Sequence, residues 1–123
     1  MEAIKSYTDL EQSKKLAEIL PLESADMKIL PFTEREYRIV PINDIAVCGI
    51  DDEIYAWSLS ALISVLPLEI DTHKQTDGHK TYYYVESYMK RMGKEIYLST
   101  ERHENLVDAC VEMIIKLYEL DLL

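Results

Sequence analysis

Glycine is scarce in this chain, and its three copies, Gly49, Gly78 and Gly93, are scattered. A loop that cradles a phosphate or a dinucleotide needs several glycines within a few residues, so the sequence argues against such cofactors and none is expected. Cysteine is rarer still. Cys48 and Cys110 sit inside apolar runs, where a free thiol behaves as a small hydrophobe, and they supply neither a disulfide framework nor a thiolate metal cage. No apolar run approaches the roughly 18 residues of a membrane span, and the first eight residues are polar with no signal core. These absences predict a cytoplasmic, soluble protein with no membrane partner.

Basic residues are also in deficit, 13 Lys and Arg against 23 Asp and Glu, for a formal charge of −10. Net negative charge opposes the phosphate contacts that supply most nonspecific nucleic-acid affinity, so direct nucleic-acid binding is disfavoured. The deficit is uneven: residues 1–73 carry −8, residues 74–94 carry +3 and residues 95–123 carry −5. A basic island of Lys74, Lys80, Lys90, Arg91 and Lys94, which could cluster, therefore interrupts an acidic chain.

Catalytic and metal constellations are equally thin. His73, His79 and His103 are spread along the chain, and a hairpin register that sets His73 opposite Tyr82 and His79 opposite Thr76 keeps the first two apart. Asp51-Asp52-Glu53 lacks the alternating oxygen ligands of a calcium loop and reads as a solvated turn. Cys110 is assigned to a core face, where a thiolate is disfavoured, so a Cys110–His103 nucleophile pair finds no support. Neither a metal site nor a catalytic residue is expected, and a small enzyme ranks third among the functional readings.

What the chain does possess is patterning. In residues 105–123, Leu106, Val107, Cys110, Val111, Ile114, Leu117 and Tyr118 recur at the spacings of one helical face, with Asp108, Glu112, Lys116 and Glu119 opposite. This predicts an amphipathic core helix capped by Asn105, whose apolar stripe Leu120 extends and whose last residues, Leu122 and Leu123, dock on the protein's own core. Thr8 and Glu11 form a capping box opening a first helix with a stripe of Leu10, Ser13, Leu16, Ala17 and Leu20, stopped by Pro21. Ser58 caps a second helix with Leu59, Leu62, Ile63 and Leu66, stopped by Pro67. Both end in Leu-Pro-Leu-Glu, for which repeated use of proline as a helix stop is favoured over an internal duplication.

Residues 27–50 are rich in β-formers and broken by Pro31, Pro41 and Asn43-Asp44, which predicts short strands near a sheet edge. Asp77-Gly78 reads as a two-residue hairpin turn pairing Ile70 with Val85, and a turn at residues 90–93 pairs Met89 with Lys94. One face of this meander then holds Leu68, Ile70, Tyr83, Val85, Ile96 and Leu98. The other holds Glu69, Asp71, Tyr82, Tyr84, Glu86, Tyr88, Glu95 and Tyr97. The expectation is one domain over residues 1–123, of α+β class, with three helices on one face of a mainly antiparallel sheet.

The blocks Ser13-Lys14-Lys15-Leu16-Ala17-Glu18-Ile19-Leu20-Pro21, Glu23-Ser24-Ala25-Asp26-Met27, Trp57-Ser58-Leu59-Ser60-Ala61-Leu62 with Val65-Leu66-Pro67, and Val107-Asp108-Ala109-Cys110-Val111-Glu112-Met113-Ile114 carry a resemblance. In these the chain resembles a family of small uncharacterised proteins from gut Bacteroides-type bacteria and their phages. The resemblance implies an intracellular, phage- or mobile-element-borne protein and brings no catalytic residue with it.

Tyrosine is the one abundant aromatic, nine residues, and four of them fall on one sheet face. Tyrosine joins a large rigid contact area to a polar tip and is enriched at interfaces. Tyr82, Tyr84, Glu86, Tyr88 and Tyr97 are therefore the candidate binding residues of a non-enzymatic protein-binding module, its partner another protein or a second copy. The alternative is an acidic inhibitor that mimics nucleic-acid charge.

Overall fold

The computed structural model describes residues 5–31, 37–42 and 54–123. The sequence readings of Cys48, of Asn43-Asp44 and of the turn at Asp51-Asp52-Glu53 lie outside them. In chain order the elements are α1 (Leu10–Ile19), a single 3₁₀ turn (Leu22–Ser24), β1 (Met27–Pro31), β2 (Tyr37–Pro41), β3 (Ile54–Ala56), α2 (Leu59–Val65), β4 (Ile70–Asp77), β5 (Lys80–Arg91), β6 (Lys94–Ser99) and α3 (Leu106–Glu119). The fold is α+β. Among the described residues the strands form two three-stranded antiparallel sheets, ordered β2-β1-β3 and β4-β5-β6. Pro41 falls on edge strand β2, where its missing N–H breaks no ladder.

The helix α3 forms where the periodicity places it, and Asn105 caps it by accepting from the Asp108 amide at 2.8 Å. Its burial is wider than one stripe. Ala109 and Met113 are buried beside Val107, Cys110, Val111, Ile114 and Leu117, because β5 packs on one side of the helix and α1 and α2 on others. Tyr118 and Leu120, expected on the apolar stripe, are instead about half exposed. The chain leaves the helix there: Asp121 turns left-handed (φ 58°), and Leu122 folds back so that its amide reaches the Leu117 carbonyl at 2.8 Å. Of the terminal leucines it is Leu122 that packs on the core.

The cap of α1 lies one residue later than the Thr8–Glu11 box. Asp9 accepts from the Gln12 amide (2.8 Å) and the Gln12 side chain accepts from the Asp9 amide (3.1 Å). The sequence holds two overlapping boxes, and the second wins because Thr8 is committed elsewhere: fully buried, it bonds Ser13 and Trp57. The α2 cap is Ser58, as its sequence suggests, and Leu62 and Leu66 are buried, but Ile63 turns outward in a helix of only seven residues. Leu20 and Leu66 occupy matching places, each a buried, extended residue that ends a helix just before proline. One apolar cluster joins Leu16 and Leu20 of the first helix end to Trp57, Leu62, Val85, Met89 and the buried face of α3.

Candidate functional site

Two tight turns and one irregularity build the β4-β5-β6 sheet. The first turn is Gly78-His79, closing the pair Asp77↔Lys80; the second is Met92-Gly93, closing Arg91↔Lys94. Glycine at φ +64° opens the first turn, and positive φ at both Met92 and Gly93 gives the second the backbone of a type I′ hairpin. Each turn lies one residue further on than the sequence reading placed it, so Ile70 pairs with Ser87 rather than Val85, and Met89 with Ile96 rather than Lys94. A register moved by two residues returns each strand side chain to its original face, so the division into two faces survives along the strands, while Leu68, ahead of β4, is fully exposed rather than on the inner face.

Past β6 the ladder skips a beat. Thr100 bonds Val85 (2.9 Å), and the next bonded pair is Tyr83 with His103, at 2.7 and 2.8 Å. One residue of β5, Tyr84, therefore faces two, Glu101 and Arg102, as in a β-bulge. The extra residue resets the alternation. Arg102 lies over the Tyr82 ring, 5.5 Å from its centroid, while His103 turns toward α3 and its Nε2 meets Glu112 Oε1 at 2.7 Å.

The inner face, with Val85, Ser87 and Met89 buried, packs on α3. The outer face brings all five candidate binding residues together, but in two roles. Tyr82, Tyr84 and Glu86 are half-buried. Tyr84 stacks on His73 of β4 with centroids 4.7 Å apart and planes 12° from parallel. Glu86 bridges the strands: its Oε1 lies 3.1 Å from His73 Nε2 and its Oε2 accepts from the Tyr97 hydroxyl at 2.7 Å. Tyr88 and Tyr97 face each other across β5 and β6 and remain 56% and 58% exposed.

Electrostatics hold this face in one state. Donation to Glu86 pushes the Tyr97 phenol above its ordinary range, and donation to Glu95 does the same for Tyr88. Both stay neutral donors. Arg91, 3.1 Å from Glu69, holds that carboxyl below its usual range at the sheet's edge. The basic island splits, with Lys90, Arg91 and Lys94 at the second turn and Lys80 by the first. Lys80 and Lys90 stand near opposite ends of β5, roughly 33 Å apart at the rise of an extended strand.

No group of three or more metal-ligating side chains occurs among the described residues. Cys110 is fully buried, and burial raises its thiol to about 11, which keeps it protonated and inert. No helix among the described residues is long and apolar enough to cross a membrane. One member of the outer face, Arg102, escapes a reading of the sequence, because it depends on a bulge that no turn residue announces; His73 lies on that face in either register, and only its partner differs, Tyr84 in place of Tyr82. Comparison with protein-family models, curated proteins and solved structures finds no match for this chain.

Proposed function

We propose that this chain is a non-enzymatic protein-binding module whose contact surface is the outer face of the β4-β5-β6 sheet. The observation that carries the reading is the Tyr88–Tyr97 pair: two projecting rings, opposite each other, each held at its hydroxyl by a carboxylate. Rings fixed before binding lose little side-chain entropy on contact, which is the property that favours tyrosine at recognition surfaces. Half-buried Tyr82, Tyr84 and Glu86 are the frame that sets them. The mixture of carboxylates with Lys80, Lys90 and Arg102 on this face favours protein contact over uniform mimicry of a nucleic acid. A phage- or mobile-element-borne, intracellular origin belongs to the same proposal.

The test pairs capture with reconstitution. Tyr88→Ser with Tyr97→Ser is expected to unfold near the wild-type denaturant midpoint, yet to lose a partner that the wild type retains from native lysate. That partner, purified, should bind the variant at least about tenfold more weakly by calorimetry. Equal binding sinks the reading. Binding only to a basic protein, with an affinity that collapses as salt rises, would instead favour the nucleic-acid mimic.

A further inference from the structure

The C-terminal ends of α1, α2 and α3 converge on one cleft of about 430 Å³, lined by Ile19, Leu20, Val65, Tyr118, Asp121 and Leu123. Its walls are apolar, and Tyr118 and Leu123 leave about half of their surface to solvent. Helix C-termini present the negative end of the peptide dipole, an effect usually balanced by Lys or Arg in the last turn. Neither α1 nor α2 has a basic residue there, and Lys116 of α3 is engaged with the Ser99 carbonyl and Glu112. The cleft is therefore greasy and electronegative at once.

Asp121 makes this more than a by-product of packing. It occupies the left-handed position just past α3, with its own amide on the Tyr118 carbonyl (3.0 Å) and the Leu122 amide on Leu117. That position is most often glycine or asparagine and tolerates aspartate, but a carboxylate there faces the helix's own carbonyl end. Asp121 thus works against the helix dipole at a point where it lines a cleft. Residues that defy local rules concentrate at sites with another use.

We infer that this cleft docks a basic amphipathic segment of a protein partner. Apolar side chains of that segment lie on Val65, Tyr118 and Leu123, and a Lys or Arg reaches the Asp121 carboxylate. An acidic segment would meet like charge at every helix end, and a second copy of this chain would bring another net −10. A neutral apolar segment would desolvate Asp121 without pairing it. The inference is independent of the tyrosine face.

The experiment uses the whole chain and a fluorescent Leu/Lys amphipathic helical peptide, with a Leu/Glu peptide of the same pattern as control. Asp121→Asn should unfold at a higher denaturant midpoint than the wild type, yet bind the Leu/Lys peptide about tenfold more weakly. The Tyr88→Ser, Tyr97→Ser double variant should bind it as the wild type does. On the wild type, amide shifts induced by the peptide should centre on Ile19, Val65 and Tyr118. Undiminished binding by Asp121→Asn, equal binding of the Leu/Glu peptide, or shifts confined to other parts of the molecule would each overturn the inference.

Discussion

Thr8 and Trp57 hold each other twice: the Thr8 amide donates to the Trp57 carbonyl at 2.9 Å, and the Trp57 amide donates to Thr8 Oγ1 at 3.1 Å. Both residues are wholly buried, and the same hydroxyl meets Ser13 Oγ at 2.7 Å. Thr8→Val keeps the shape and removes the hydroxyl, leaving the Trp57 amide and the Ser13 hydroxyl without that partner in a water-free place. The expected loss is about 2–3 kcal/mol by chemical denaturation. Thr8→Ser, which keeps the oxygen, should recover most of it.

Ser87 gives the opposite case. Its hydroxyl is fully buried on the inner face of β5 and has no hydrogen-bond partner among the described residues. Ser87→Ala removes an unpaid desolvation and little volume, so stability should rise by about 1 kcal/mol. A fall in the denaturant midpoint would show that the hydroxyl is satisfied in solution.

The second hairpin carries a residue unsuited to its backbone. Met92 has φ 52° ahead of Gly93 at 78°, and its side chain is fully exposed. Asn-Gly is the preferred pair for this turn, so Met92→Asn should stabilise by about 0.5–1 kcal/mol while removing an apolar side chain from the surface. Thermal unfolding of the two proteins decides it.

Acid should weaken the polar side of α3. Burial raises the carboxyls of Asp108 and Glu112, but hydrogen bonds outweigh it, from Lys5, Gln12 and Asn105 for the first and from His103, Lys116 and the Glu101 amide for the second. Both end below their ordinary values. A lowered carboxyl contributes stability that is present above its unfolded pKa, 3.8 for Asp108 and 4.5 for Glu112, and that is lost as pH falls through the lower folded value. Asp108→Asn with Glu112→Gln should therefore be less stable than the wild type at neutral pH and lose less on acidification below about pH 4.5. Parallel stability curves for the two proteins would contradict this.

Much of this arrangement is legible in the residues alone, and for a common reason: a periodic signal tolerates error. The α3 pattern repeats over four turns, so one misplaced residue such as Tyr118 does not disturb it. The meander's faces depend only on odd and even positions, so a register two residues off still places Tyr82, Tyr84, Glu86, Tyr88 and Tyr97 together. Single events lack such protection. The choice between two overlapping caps at Thr8 and Asp9 turns on a tryptophan 48 residues downstream of Asp9, which local pattern does not contain. The meeting of three helix ends around Asp121 likewise follows from packing and from no one segment.

The extra residue opposite Tyr84 makes the link from β6 to α3 a parity switch. Arg102 and His103 are chain neighbours, yet one serves the outer tyrosines and the other the helix, and only the phase of the alternation decides which does which. A ladder of the same residues run on without the bulge would exchange their sides, setting Arg102 opposite Tyr83 on the helix side and His103 opposite Tyr82 among the outer tyrosines. The link thus holds one residue in reserve: loss of Glu101 would close the bulge with Arg102 opposite Tyr84 and His103 still opposite Tyr83, both on their present sides.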